Sequence, residues 1–168
     1  TPPNDLDLEC AVLSACMLDR AALDSVLPLL SATQFYSEAN GRIYEAIQAI
    51  AEEGKPVDLV TVAAHLRSKG QLAQVGGPSY LAQISDSTPA VAHVEHHARE
   101  VREKWRLRSL IATCQRTAAE GYGDTGSIQA FVESHEAAVY ELARPEGGSA
   151  ADSQPLGTVI REEFARLQ

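Results

Sequence analysis

Apolar residues along this chain return at intervals of three and four, the spacing of one face of an α-helix. Between Asn4 and Leu18 the repeating positions are Leu8, Ala11, Val12, Ala15 and Cys16, with Asn4 placed to cap the helix and Asp7 opposing the positive end of its dipole. A shorter helix is expected from Arg20 toward Leu27, turning Leu23, Val26 and Leu27 to the core and ended by Pro28, which lacks the ladder donor. A third follows Phe35-Tyr36 with the stripe Ile43, Tyr44, Ile47 and Ile50, and Gly54 supplies the left-handed residue that commonly ends a helix. Asp58 is placed to cap a helix carrying Val62, Ala63 and Leu66 that stops at Gly70, and Pro78 suits the first turn of another holding Tyr80, Leu81 and Ile84.

Beyond Pro89 the texture changes. From Ala90 to Ala119 there is neither glycine nor proline, and Val91, Val94, Ala98, Val101 and Trp105 keep near-heptad spacing before Leu107, Leu110, Ile111 and Cys114 carry the stripe around the helix. The glycines between Gly121 and Gly126 make a turn, and Ser127 can start a returning helix with the face Ile128, Phe131, Val132, His135, Val139 and Leu142. Two long antiparallel helices joined by a short loop form a hairpin. Residues 145–155, PEGGSAADSQP, have the composition of a flexible linker. After them Leu156, Val159, Ile160, Phe164 and Leu167 share one helical face with nothing following to cover it. That face is expected to pack on another copy or on a further part of a longer protein. The pattern predicts an all-α fold.

Composition narrows the function. At 168 residues and 45% hydrophobic the chain suits one main domain and is too short to add a motor. Its 23 Asp and Glu against 14 Lys and Arg leave a formal charge of -9, which argues against a protein that grips nucleic acid over its whole surface and leaves room for local contact alone. No run reaches the length of a membrane span and the opening TPPNDLDLEC lacks a signal-peptide pattern, so a soluble, cytoplasmic chain without a membrane partner is expected. Cys10, Cys16 and Cys114 are odd in number and lack CxxC spacing, which suggests neither a disulfide framework nor a zinc knuckle.

Two clusters carry potential chemistry. His93, His96, His97 and Glu100 fall near one helical face, as a metal site would need, but the HVEHH order lacks the HExxH arrangement of zincins, and a solvated face is the plainer reading. The stretch from Arg99 to Arg108, REVREKWRLR, holds five basic residues in ten around Trp105. It reads either as a phosphate-facing strip with a base-stacking aromatic, making the chain a helical nucleic-acid-binding module, or as a helix surface of ion pairs with Glu100 and Glu103 while Trp105 continues the core stripe. Walker-type GxxxxGK[ST] and GxGxxG loops are both absent, and no nucleophile-elbow or Cys/His signature singles out a catalytic residue.

A set of phrases in fixed order carries a resemblance. They are Pro2-Pro3-Asn4, Glu9-Cys10-Ala11-Val12-Leu13, Met17-Leu18-Asp19, Phe35-Tyr36, Arg42-Ile43-Tyr44-Glu45-Ala46-Ile47, Gly54 through Val62, Gly76-Gly77, Tyr80-Leu81 and Thr88-Pro89, then Ala98, Val101, Lys104 and Leu107-Arg108. Together they resemble the N-terminal domain of bacterial replicative DNA helicases of the DnaB family. Ser14, Asn40, His93 and His97 depart from the residues usual there.

The resemblance implies a globular helical head over residues 1–101, a helical hairpin over 102–144, a linker over 145–155 and a linker helix over 156–168 leading to an absent motor. It implies a homo-oligomer, a dimer or up to a trimer of dimers, whose hairpins pair and also dock the C-terminal domain of primase. Trp105, Arg108, Ile111, Ile128, Val132 and Val139 are then the candidate interface residues, and Leu156, Val159, Ile160, Phe164 and Leu167 the contact face of the linker helix. A helicase loader is a further implied partner, and direct DNA contact is weak or absent. The fragment itself is expected to be non-catalytic and without a cofactor. ATP, magnesium and 5'-3' unwinding belong to the motor of the full-length helicase.

Overall fold

A computed structural model describes residues 1–87 and 91–144. The expected linker at 145–155, the contact face from Leu156 to Leu167, and Thr88-Pro89 of the resemblance lie outside those residues. The described residues form α1 (Leu6–Leu18), α2 (Arg20–Val26), α3 (Glu38–Glu52), α4 (Leu59–Ser68), α5 (Gly77–Asp86), α6 (Val94–Gly121) and α7 (Ile128–Ala143), with short 3-10 turns at Ala32–Gln34 and Val91–His93 and no strand among them. The all-α expectation holds. Among the described residues, 1–112 form one compact unit and 113–144 belong to a second.

The helix boundaries follow local chemistry. Asp58 accepts from the Thr61 amide at 2.8 Å while the Thr61 hydroxyl accepts from the Asp58 amide at 2.9 Å, a reciprocal cap at the start of α4. Ser127 caps α7 as expected, and Gly54 sits at φ 69° just past α3. One expected cap is corrected: Asp5, not Asn4, closes α1, accepting from the Leu8 amide at 3.0 Å, while Asn4 donates to the Pro2 carbonyl. The two side chains are adjacent and chemically equivalent as caps, so which one faces the helix depends on the path of the entering chain.

In the first unit α1 is the central helix, packed on α2, α3 and α5, while α3 also packs on α4. Val12 through Met17 are all buried, so its buried surface is wider than the single stripe its spacing predicts. Around it stand Leu23 and Val26 of α2, Ile43, Tyr44 and Ile47 of α3, Val62 and Leu66 of α4, Leu81 and Ile84 of α5, and Val94, Ala98 and Val101 of α6. Burial pushes the Cys16 thiol up to about 12, which makes it an inert apolar filler.

A buried carboxylate ties this unit together. Glu9 of α1 is 2% exposed and accepts from the Tyr36 amide at 2.6 Å, the Ser37 amide at 3.3 Å and Asn40 Nδ2 at 2.9 Å. It is thus an anion set against the N-terminus of α3, where the unpaired amides and the helix dipole both favour negative charge. Asn40 Oδ1 accepts from the Tyr80 hydroxyl of α5 at 2.8 Å, and burial pushes that phenol up to about 12. Asn40 and Ser14, two departures from the family pattern, are both fully buried and satisfied, since the Ser14 hydroxyl donates to the Ser87 carbonyl at 3.3 Å.

Gly41 marks a close approach of α3 to the preceding turn, because a Cβ there would lie 2.7 Å from the Ala32 carbonyl oxygen. Gly41→Ala gains helix propensity of about 1 kcal/mol. It must also displace backbone, and overpacking of that kind costs about 1–3 kcal/mol. A net loss of about 1 kcal/mol in urea denaturation is expected, and a stabilised variant would contradict the close approach.

Candidate protein-interaction site

The second unit is a helical hairpin built by the last turns of α6 and by α7. The Gly121 position faces the Phe131 ring, and Thr113, Cys114, Thr117 and Ala118 share a groove with Val139, Tyr140 and Ala143, so the two helices run antiparallel. None of the 16 residues of α7 is buried, although its composition is apolar on one side. The predicted face divides in two. Phe131, His135 and Leu142 are half-buried, whereas Ile128 is 67%, Val132 44% and Val139 41% exposed. Tyr140 adds a large side chain at 52% exposure, and it follows Val132 by eight residues on the same face. Its spacing alone would have found it.

The remaining candidates belong to the first unit. Ile111 is 38% and its neighbour Leu107 47% exposed, and Trp105 is half-buried on α6. Arg108 is engaged within its own unit: its guanidinium donates to the Pro3 and Gln34 carbonyls, each at 2.8 Å, and lies 5.4 Å from the centre of the Tyr36 ring. Burial holds it below the ordinary arginine range. Those carbonyls belong to the N-terminal segment and the turn before α3, so Arg108 joins both to α6.

The basic strip resolves toward helix-surface pairing. Arg99 lies 3.8 Å from Glu95 and Arg106 lies 2.7 Å from Glu103, one helical turn apart in each case. Charge reversal at Arg102 and Arg106 is expected to leave any weak DNA binding, and its salt dependence, unchanged in a fluorescence titration. A loss that tracks salt concentration would restore the nucleic-acid reading. Among the described residues no group of three or more His, Cys, Asp or Glu side chains is arranged to hold a metal. None of their helices is long and apolar enough to cross a membrane.

Comparison with known proteins gives this arrangement a setting. Residues 1–103 match the model of the DnaB-like helicase N terminal domain. The chain belongs to that family. It is 39% identical over 143 residues to the replicative DNA helicase DnaB of Geobacillus stearothermophilus, covering 85% of this chain and 32% of that protein. Against the replicative DNA helicase DnaC of Bacillus subtilis it is 36% identical over 149 residues, covering 89% of this chain and 33% of that one. The chain therefore spans about a third of the length of these relatives. Among solved structures, the N-terminal domain of DnaB helicase from Mycobacterium tuberculosis superposes with a TM-score of 0.78 at 34% identity, over 84% of this chain and 99% of that one. A DnaB-like replicative helicase described with its interactions with primase shares the fold at a TM-score of 0.65 and 22% identity, over 96% of this chain and 35% of its own. The DnaB-like N-terminal domain is thus an all-helical element here, and its exposed apolar hairpin is the surface its family membership has to explain.

Proposed function

We propose that this chain is the non-catalytic N-terminal collar of a hexameric replicative DNA helicase, holding subunits together and docking the C-terminal domain of primase at the replication fork. The observation that carries this reading is α7, a 16-residue helix without one buried residue that exposes Ile128, Val132, Val139 and Tyr140 in a member of the DnaB-like N-terminal domain family. Helices of that length draw most of their stability from packing, so such a face calls for a partner. In this reading residues 1–101 are the head, and the hairpin over 102–144 pairs with that of a second copy, three such pairs making the collar. The segment 145–155 is a linker, and the face Leu156, Val159, Ile160, Phe164 and Leu167 seats against a motor domain. ATP and magnesium are used by that motor, in the cytoplasm, and a helicase loader is a further partner. Binding energy at the collar would couple priming to unwinding without chemistry of its own.

Light scattering at about 10–50 μM, a range suited to a weak interface, tests the assembly. A mass above the monomer is expected, and a monomer throughout would overturn the pairing. A pull-down with the primase C-terminal domain tests the docking separately, and its failure would remove primase from the reading.

A further inference from the structure

A groove runs between the two helices of the hairpin, walled by Cys114, Thr117 and Ala118 of α6 and by Val139, Tyr140 and Ala143 of α7, with Glu136 on its rim. Among the described residues nothing closes it: Cys114 is exposed, and Val139 and Tyr140 are 41% and 52% exposed. The α7 wall reaches from His135 to Ala143. At the rise of an α-helix that is about 12 Å.

We propose that this groove seats a segment of the same chain, residues 156–168. The segment lies outside the described residues, but its sequence and its tether fit the site. Leu156, Val159, Ile160, Phe164 and Leu167 recur at the spacing of one helical face. As a helix that face measures about 17 Å from Leu156 to Leu167, enough to run the length of the groove. Residues 145–155, PEGGSAADSQP, join the segment to the end of α7. Eleven residues of a Gly- and Ser-containing chain have an r.m.s. end-to-end distance of about 18 Å, comparable to the length of the wall they must pass. A tether matched to its span holds its two ends at an effective concentration of about millimolar, so a contact too weak to form between separate molecules is still populated. Charge agrees with the fit. Between Ile128 and Ala143, α7 carries Glu133, Glu136 and Glu141 and no Lys or Arg, while Arg161 stands beside the apolar positions of the segment. Val139 and Tyr140 also belong to the face assigned to pairing, so the segment and a second copy compete for them. On the reading that residues 156–168 seat against a motor domain, that seat draws the segment out of the groove and releases both residues for pairing.

Cys114 lines the groove and reports on what fills it. In the intact chain at about 1 μM, alkylation of Cys114 by iodoacetamide, read by peptide mass, is expected to run about five-fold slower in wild type than in a variant carrying both Ile160→Glu and Phe164→Glu, which corresponds to a groove filled about 80% of the time. Neither position belongs to the core around α1, so the head keeps its fold. Equal rates in the two proteins overturn the proposal. Dilution to about 0.1 μM separates the occupants, because a tethered segment protects Cys114 to the same extent at any concentration. Protection that fades on dilution assigns the groove to a second copy and likewise overturns the proposal. Pairing is read separately, by light scattering: copies that fail to pair while Cys114 stays protected would remove the collar and leave the seated segment, and paired copies with an unprotected Cys114 on dilution would do the opposite.

Discussion

Glu9→Ala is expected to destabilise the helical head by about 3 kcal/mol, lowering its melting midpoint by about 10 °C. The side chain is 2% exposed, and its two oxygens take hydrogen bonds from the Tyr36 amide, the Ser37 amide and Asn40 Nδ2. Hydrogen bonds to a charged acceptor contribute about 1.5–3 kcal/mol each but are not additive within one network. Removing the carboxylate also leaves three donors facing a cavity, and those donors hold the first turn of α3 and, through Asn40, the Tyr80 hydroxyl of α5. Glu9→Gln separates charge from shape. Its amide oxygen can still accept from Tyr36, but its NH2 group then meets another donor, so it is expected to recover less than half of the loss. Thermal melts followed by circular dichroism measure both, and an alanine variant melting within about 3 °C of wild type would show that the network is peripheral to the fold.

Most of the helices could be read in the residue spacing, because a helix buried on one side repeats its apolar positions whatever lies against it. The stripe Ile43, Tyr44, Ile47 and Ile50 is buried as predicted, and so are Leu23 and Val26 of α2. Local polar chemistry was legible where one residue alone could cap, as at Asp58, and ambiguous where Asn4 and Asp5 stood side by side. Glu9 could not be read at all. A single glutamate beside a helix start looks solvated, and its partners lie 27 to 31 residues away. Arg108 is a similar case: the pairs Arg99–Glu95 and Arg106–Glu103 follow from helical spacing, but carbonyl partners 105 and 74 residues distant do not.

The candidate interface shows a different limit. Periodicity reports that Ile128, Phe131, Val132, His135, Val139 and Leu142 share a side of α7, but not which of them the hairpin itself covers. The antiparallel packing half-buries Phe131, His135 and Leu142 and leaves Ile128, Val132 and Val139 more exposed, because among the described residues of its unit α7 has α6 on one side alone. A half-covered apolar face is the physical reason for expecting a second protein there, and this division separates residues that stabilise the hairpin from residues open to a partner.

Substituting both Val132→Glu and Val139→Glu is therefore expected to convert the assembled chain to a monomer while leaving the head intact. Val132 and Val139 lie two helical turns apart on α7, are 44% and 41% exposed, and sit in a unit separate from the core around α1. Surface substitutions at such positions cost a folded domain within about 0.5 kcal/mol, so the melting of the head should not change. In a paired hairpin the same carboxylates would be driven into an apolar contact without counter-ions, and α7 already carries Glu133, Glu136 and Glu141 nearby. Burying an unpaired charge costs about 3–5 kcal/mol. That weakens association by about 10²–10⁴-fold. Tyr140→Ala should act in the same direction by truncating the largest exposed anchor of the face, since aromatic side chains dominate such contacts. Sedimentation of wild type and variants at equal concentration decides the matter. Assembly that survives both glutamates would place the interface elsewhere on the chain, and loss of assembly together with loss of the head's melting transition would mean that the substitutions had unfolded the protein rather than separated its copies.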